Sequence, residues 1–152
     1  MSFINSILKV FVGDKSQQDV KALQGNITKI KSFESALESL THDELRAKTA
    51  YFKELIKQAR SEKDAKIAAL QSEVETIEDI DKREDLYLEI DALEKEAYDI
   101  SEKTLNEILP EAFAVIKETA KRFKENTTVK VTATAKDREL SATKTYITLE
   151  GD

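Results

Sequence analysis

Ile67-Ala68-Ala69-Leu70-Gln71-Ser72-Glu73-Val74-Glu75-Thr76-Ile77-Glu78-Asp79-Ile80-Asp81-Lys82-Arg83-Glu84-Asp85-Leu86-Tyr87-Leu88-Glu89-Ile90 is the stretch that decides the fold. Ile67, Leu70, Val74 and Ile77 recur at three- and four-residue steps, the rhythm of a heptad seam. Leu86, Ile90, Leu93, Ala97 and Ile100 keep the same rhythm, but the two series are out of register across Asp79–Asp85. The interval from Ile77 to Leu86 is filled almost entirely by charged residues. A reversal of direction fits such an interval better than one continuous seam. The spacing predicts an antiparallel helical hairpin with its tip near residue 81.

Working outward, the chain favours helix everywhere near this hairpin. Three glycines and one proline in 152 residues leave long stretches without a breaker. Apolar residues make up 40% of the chain, enough for a core, and charged residues 36%, above the usual share of about 25%. That excess points to an elongated shape with much solvated helix surface. The charge is concentrated: residues 61–110 carry 16 acidic and 6 basic side chains, whereas the flanking thirds are close to neutral or slightly basic.

Upstream, a helix opens at Lys15-Ser16-Gln17-Gln18, with Val20, Leu23, Ile27, Ile30, Phe33, Leu37 and Leu40 in helical rhythm. Thr41-His42-Asp43-Glu44 then reads as a capping box that starts a new helix, with Leu45, Phe52, Leu55 and Ile56 as its buried face. Downstream, Pro110 suits the first position of a helix over 110–125, because its missing amide proton has no partner there. That helix is expected to bury Phe113, Ile116 and Ala120. Past Asn126, Val129–Thr134 and Thr145–Leu149 alternate and are β-branched, which predicts two short strands lacking sheet partners and therefore prone to fray. The expected class is mainly α: helices plus a long antiparallel helical hairpin, with two short β-strands at the C-terminus. Its expected parts are 1–14, 15–59, the acidic hairpin 60–103, 104–126 and 127–152.

Phe3, Ile4, Ile7, Leu8 and Phe11 share one helical face, with Asn5, Ser6 and Lys9 turned away. No basic leader precedes this run and no small-residue cleavage site follows it, so it reads as mature protein rather than a secretory signal. A helix this short needs a partner surface. That partner is either a membrane interface, with Lys9 and Lys15 nearby, or the protein itself or a second copy.

The remaining chemistry is mostly excluded. Zero cysteines remove disulfides and thiolate metal sites, and one histidine, His42, cannot form a cluster. No apolar run reaches the 18 or so residues of a membrane span. The phosphate loop, the dinucleotide fingerprint and the common hydrolase motifs are missing from these 152 residues. Asp79, Asp81 and Asp85 lack the glycine and spaced oxygens of a calcium loop and read as a solvated tip. His42, inside a capping box, reads as a first-turn surface residue. No catalytic, cofactor-binding or metal residue is assigned.

Three segments together resemble a known family. Leu109-Pro110-Glu111-Ala112-Phe113-Ala114-Val115-Ile116-Lys117-Glu118-Thr119-Ala120-Lys121-Arg122 closely resembles the stretch of SecA, the ATP-driven motor of bacterial preprotein export, just before its nucleotide-binding residues. Ser39-Leu40-Thr41-His42-Asp43-Glu44-Leu45-Arg46-Ala47-Lys48-Thr49-Ala50-Tyr51-Phe52-Lys53-Glu54-Leu55-Ile56 resembles the family's S-x-D-E-L-x-x-K-T-x-x-F pattern, and Ile7–Leu23 resembles its N-terminal helix and turn. Residues from about 60 to 103 interrupt the typical spacing and look like a helical insertion.

The resemblance implies the N-terminal part of such a motor, contributing to its first nucleotide-binding domain and inactive as an ATPase by itself. It implies ATP and Mg in the full-length parent and none in this piece. The implied partners are the SecYEG channel, preproteins and acidic lipids, with a possible homodimer and no nucleic acid. Ile4, Ile7, Leu8, Lys9 and Phe11 match the implied contact role, and the implied location is cytoplasmic, peripheral at the inner face of the plasma membrane. A free-standing helical adaptor whose surface is the hairpin seam is the alternative, and an independent membrane-surface binder using residues 3–12 is a third.

Overall fold

The computed structural model describes the backbone of residues 15–151, and the side chains of 20–151 except Ala22. The proposed N-terminal helix and its contact positions Ile4, Ile7, Leu8, Lys9 and Phe11 lie outside the described residues. Among the described residues there are four helices, α1 Lys15–Glu38, α2 His42–Val74, α3 Ile80–Glu125 and α4 Ala135–Ser141.

The starts of α2, α3 and α4 are written locally. The Thr41 hydroxyl accepts from the Glu44 amide at 3.2 Å, and Glu44 Oε2 accepts from the Thr41 amide at 2.7 Å, so the expected capping box forms. Asp79 caps α3, its Oδ1 accepting from the amides of Asp81 at 3.1 Å and Lys82 at 3.4 Å. The chain does reverse between the two apolar series, as their spacing predicts, while Ile80–Asp85 already form the start of α3. The turn occupies 75–79, slightly before the expected tip.

α2 and α3 run antiparallel in one fixed register, marked by the ion pairs Lys48–Glu111 and Lys63–Glu96. α1 packs parallel to the second half of α3, where Glu34 meets Lys117 and Glu38 meets Lys121. The result is a three-helix base with a two-helix arm. The base core is Leu37, Leu45, Phe52, Ala114 and Val115, flanked by Ile30, Phe33, Leu40, Ile108 and Ala112. The arm core is Ile67, Val74, Ile90 and Ala97, with Leu70, Leu86 and Leu93 packed against it. The hairpin seam is therefore filled from within the chain, which removes the binding surface that the adaptor reading needed. In α1 the second half is covered, whereas Val20, Leu23 and Ile27 face solvent.

Two expectations are corrected. α3 does not begin at Pro110 but runs unbroken through it for 46 residues, about 70 Å at 1.5 Å per residue. Proline there forfeits one helical hydrogen bond. The helix persists because its seam is held on both sides of Pro110, by Ala97 in the arm and by Ala114 and Val115 in the base. Packing of an apolar face outweighs a local propensity. Pro110 is itself buried, so its ring serves as core.

The second correction concerns the C-terminal segment, where no strand forms among the described residues. The Thr132 amide, which a ladder would need, donates instead to the Asp43 carboxylate at 2.8 Å. Residues 135–141 form α4, started by a second capping box between Thr134 and Asp137. Ile147 donates to Lys144 in a turn at 3.2 Å rather than to a neighbouring strand.

The separate cores predict separate stabilities. Ile90→Ala should cost about 2–5 kcal/mol, as for a large-to-small change at a buried site, and the loss should fall on the arm. Hydrogen exchange is expected to accelerate across 60–103 while 108–122 keeps its protection.

Candidate functional site

Two of the three resembling segments, at the start of α2 and in the second half of α3, meet at the base, against the end of α1. α1 has no basic residue in its last turn to meet its free carbonyls and the negative end of its dipole. Arg122 of α3 supplies that charge. Its Nη2 donates to the carbonyls of Leu37 at 3.0 Å and Leu40 at 2.8 Å, and its Nε donates to Glu118 Oε1 at 2.7 Å. Nη1 lies 3.1 Å from His42 Nδ1, and because a guanidinium only donates, Nδ1 is the acceptor. Arg122 and Glu118 are both only 9% exposed, and among the described residues no buried side-chain polar atom lacks a partner. His42 is therefore a half-buried member of this network rather than a bare surface residue.

Five of the six residues of the D-E-L-x-x-K-T-x-x-F pattern, all but the exposed Thr49, have a structural job. Asp43 holds Thr132, Glu44 closes the capping box, Leu45 and Phe52 fill the core, and Lys48 pairs with Glu111 of α3 at 2.8 Å. This pattern assembles the base; it does not place a reactive group.

A latch beside it ties the C-terminal segment to α2. Asp43 accepts from the Thr132 hydroxyl at 2.6 Å and from its amide, which together hold the carboxyl below its ordinary range. Arg46 donates to Asp137 Oδ1 at 2.8 Å and reaches the Thr132 carbonyl at 3.4 Å. Asp137 is lowered from 3.8 to about 2, first by the Thr134 amide, then by the Thr134 hydroxyl and Arg46. Between network and latch lies an open basin of about 660 Å³, bordered by Leu40, His42, Asp43, Lys121, Asn126 and Lys130. Its lining mixes both charge signs, and among the described residues no three His, Asp or Glu side chains converge as metal ligands. The basin can seat chain or solvent but carries no nucleophile with a base.

The outer side of α3 is the other prominent surface. Phe113 and Ile116 are not buried as the sequence suggested but are 52% and 65% exposed, and Ala120 is exposed with them. Glu118 and Arg122 take the inner positions instead, because the polar network at the end of α1 turns that face inward. Leu105, Leu109 and Phe123 extend the same exposed line. α3 thus carries a second apolar line besides the one its partners cover.

Residues 8–136 match the family model described as SecA DEAD-like domain. The chain is 75% identical over 152 residues to the protein translocase subunit SecA of Flavobacterium psychrophilum, covering 100% of this chain and 14% of that protein. It is 57% identical to that of Christiangramia forsetii over 152 residues, again 100% of this chain and 14% of the relative. It is 43% identical to that of Bacteroides fragilis over 148 residues, 97% of this chain and 13% of the relative. The chain thus spans about one seventh of these relatives' length, and the first two alignments include the hairpin 60–103. No solved structure matches.

Two outcomes are expected from the network and the latch. Arg122→Ala should destabilise the fold by about 3–5 kcal/mol in urea titrations, because Glu118 stays buried without its cation. Replacing both Arg122 and Glu118 with leucine should cost less than the single change. For the latch, a carboxyl with a depressed folded-state pKa contributes stability that is full above its ordinary value and is lost as pH falls through the folded value. Docking of 132–137 should therefore hold above pH 3.8 and weaken towards about 2. NMR titration of Asp137 in Arg46→Ala should move its midpoint up yet leave it below the ordinary value, since the Thr134 box remains.

Proposed function

The chain belongs to the SecA family, and from that premise we propose that it is the N-terminal portion of an ATP-driven motor that pushes preproteins through the SecYEG channel. The observation that carries this reading is the match of residues 8–136 to the SecA DEAD-like domain. The order of the three resembling segments and the names of the relatives support it.

In this reading the parent binds ATP and Mg through polypeptide beyond residue 152, and the 152-residue chain alone has no ATPase activity. Its work is mechanical and adhesive. The base brings α1, α2 and the C-terminal half of α3 into one rigid unit, and the outer line Leu105, Leu109, Phe113, Ile116 and Phe123 is covered by the rest of the first nucleotide-binding domain. Residues 104–125 carry four acidic and four basic side chains, a balance suited to burial within one protein. Ile4, Ile7, Leu8, Lys9 and Phe11 contact acidic lipids, the channel or a second copy, and the parent works in the cytoplasm, peripheral at the inner face of the plasma membrane. Among the described residues no helix is long and apolar enough to cross a membrane.

Calorimetric titration of ATP with Mg separates the alternatives, using this chain and the same chain extended through the following few hundred residues of its gene. Binding by the extended protein alone is the expected result. Tight binding by the 152-residue chain, or none by either, overturns the assignment of the nucleotide site.

A further inference from the structure

The exposed line on α3 continues past the base into the arm, and its electrostatic surroundings change there. Ile80, Tyr87 and Tyr98 follow the helical period of Leu105 and Leu109 on one side of α3, away from the seam residues Leu86, Ile90, Leu93 and Ala97. Ile80 is 76% exposed, Leu88 and Tyr98 62% each, and Tyr87 50%. Ile80, Tyr87 and Leu88, with Arg83, Glu84 and Asp91, line a shallow and mainly apolar groove of about 280 Å³.

Only part of the acidic charge around this groove serves the fold, through Asp81 in the first turn of α3 and the pair of Glu96 with Lys63. Residues 80–103 carry nine acidic and four basic side chains. Asp81, Asp85 and Glu89 stand at successive four-residue steps, where like charges repel. Among the described residues Glu84, Asp85 and Asp91 have no ion pair, unlike Glu96 and Asp79. Large apolar side chains left in water beside uncompensated charge mark a contact surface.

We propose that this outer face of the arm, centred on Tyr87 and Leu88, binds a cationic amphipathic helix of another polypeptide. The charge selects the occupant. Anionic lipid surfaces and nucleic acids carry the same sign as the arm and are repelled, and a second arm laid against the first brings like charges together. An uncharged apolar partner buries Glu84 and Asp91 unpaired, at a cost that a basic partner offsets. From Ile80 to Tyr98 the face runs for about 27 Å, room for roughly five turns of a docked helix. The inference is independent of the nucleotide site and of any activity of the parent.

The test is fluorescence anisotropy of a labelled, designed leucine/lysine amphipathic peptide titrated with the 152-residue chain. Saturable binding is expected, weakening as salt rises from about 0.05 to about 0.5 M, and about tenfold weaker for the double variant Tyr87→Ala/Leu88→Ala. Both side chains are at least half exposed, so the variant should keep its helical circular dichroism. Undiminished binding by the double variant overturns the proposal, as does equal binding of a leucine/glutamate peptide. Concentration-dependent self-association abolished by the same two substitutions also overturns it, by assigning the face to a second copy.

Discussion

The buried guanidinium of Arg122 is the constraint on which the base depends. A helix that ends without a cation in its last turn leaves carbonyl oxygens and a negative dipole end exposed. α1 is such a helix, and it ends against core rather than open solvent, with Leu37 2% exposed. Arg122 resolves the conflict from α3, and Glu118 one turn earlier balances its charge. Because one planar group bonds the end of α1, the start of α2 through His42 and its own helix, these segments have a single mutual arrangement that satisfies it. The latch from Asp43 and Arg46 then holds the following segment beside the same junction.

α3 is the spine to which the rest is referred. Along one side it supplies both cores, and the side that faces α2 stays continuous because the steps between seam residues remain three or four from Leu86 to Arg122. The run of two fours from Ile100 through Thr104 to Ile108 shifts the seam slightly, as a short insertion does in a coiled coil, and it coincides with the entry into the base. Along its other side α3 leaves a second apolar line unpaired. In the base this line runs through charge-balanced surroundings and in the arm through acidic ones, so one helix presents two chemically different surfaces.

Much of this was legible in the residues. The hairpin, its arm core and the Thr41 capping box follow from spacing and from side chains that act within three or four positions. The C-terminal segment is less legible: Val129–Thr134 has the composition of a strand, but composition does not say whether an amide will find a ladder or the Asp43 carboxylate. α4 carried a usable signal in Thr134 and Asp137, a capping box with aspartate in place of glutamate. Of the candidate contact positions, those in residues 4–11 lie outside the described structure, while the outer face of α3 was assigned to the core because helical periodicity identifies an apolar face without saying which of two such faces is covered.

Local chemistry and periodicity, then, determined helix content, the reversal near Asp79 and the family resemblance, because each depends on residues close together in the chain. Only the tertiary structure decided that α3 continues through Pro110, that Phe113 and Ile116 face outward, and that Arg122 goes inward. The first depends on the seam packed on both sides of Pro110, and the other two on partners about 80 positions away in sequence, Leu37, Leu40 and His42. The orientation of a helix with two apolar faces is set by where its one buried charge can be satisfied, and that place exists only once α1 and α2 are packed.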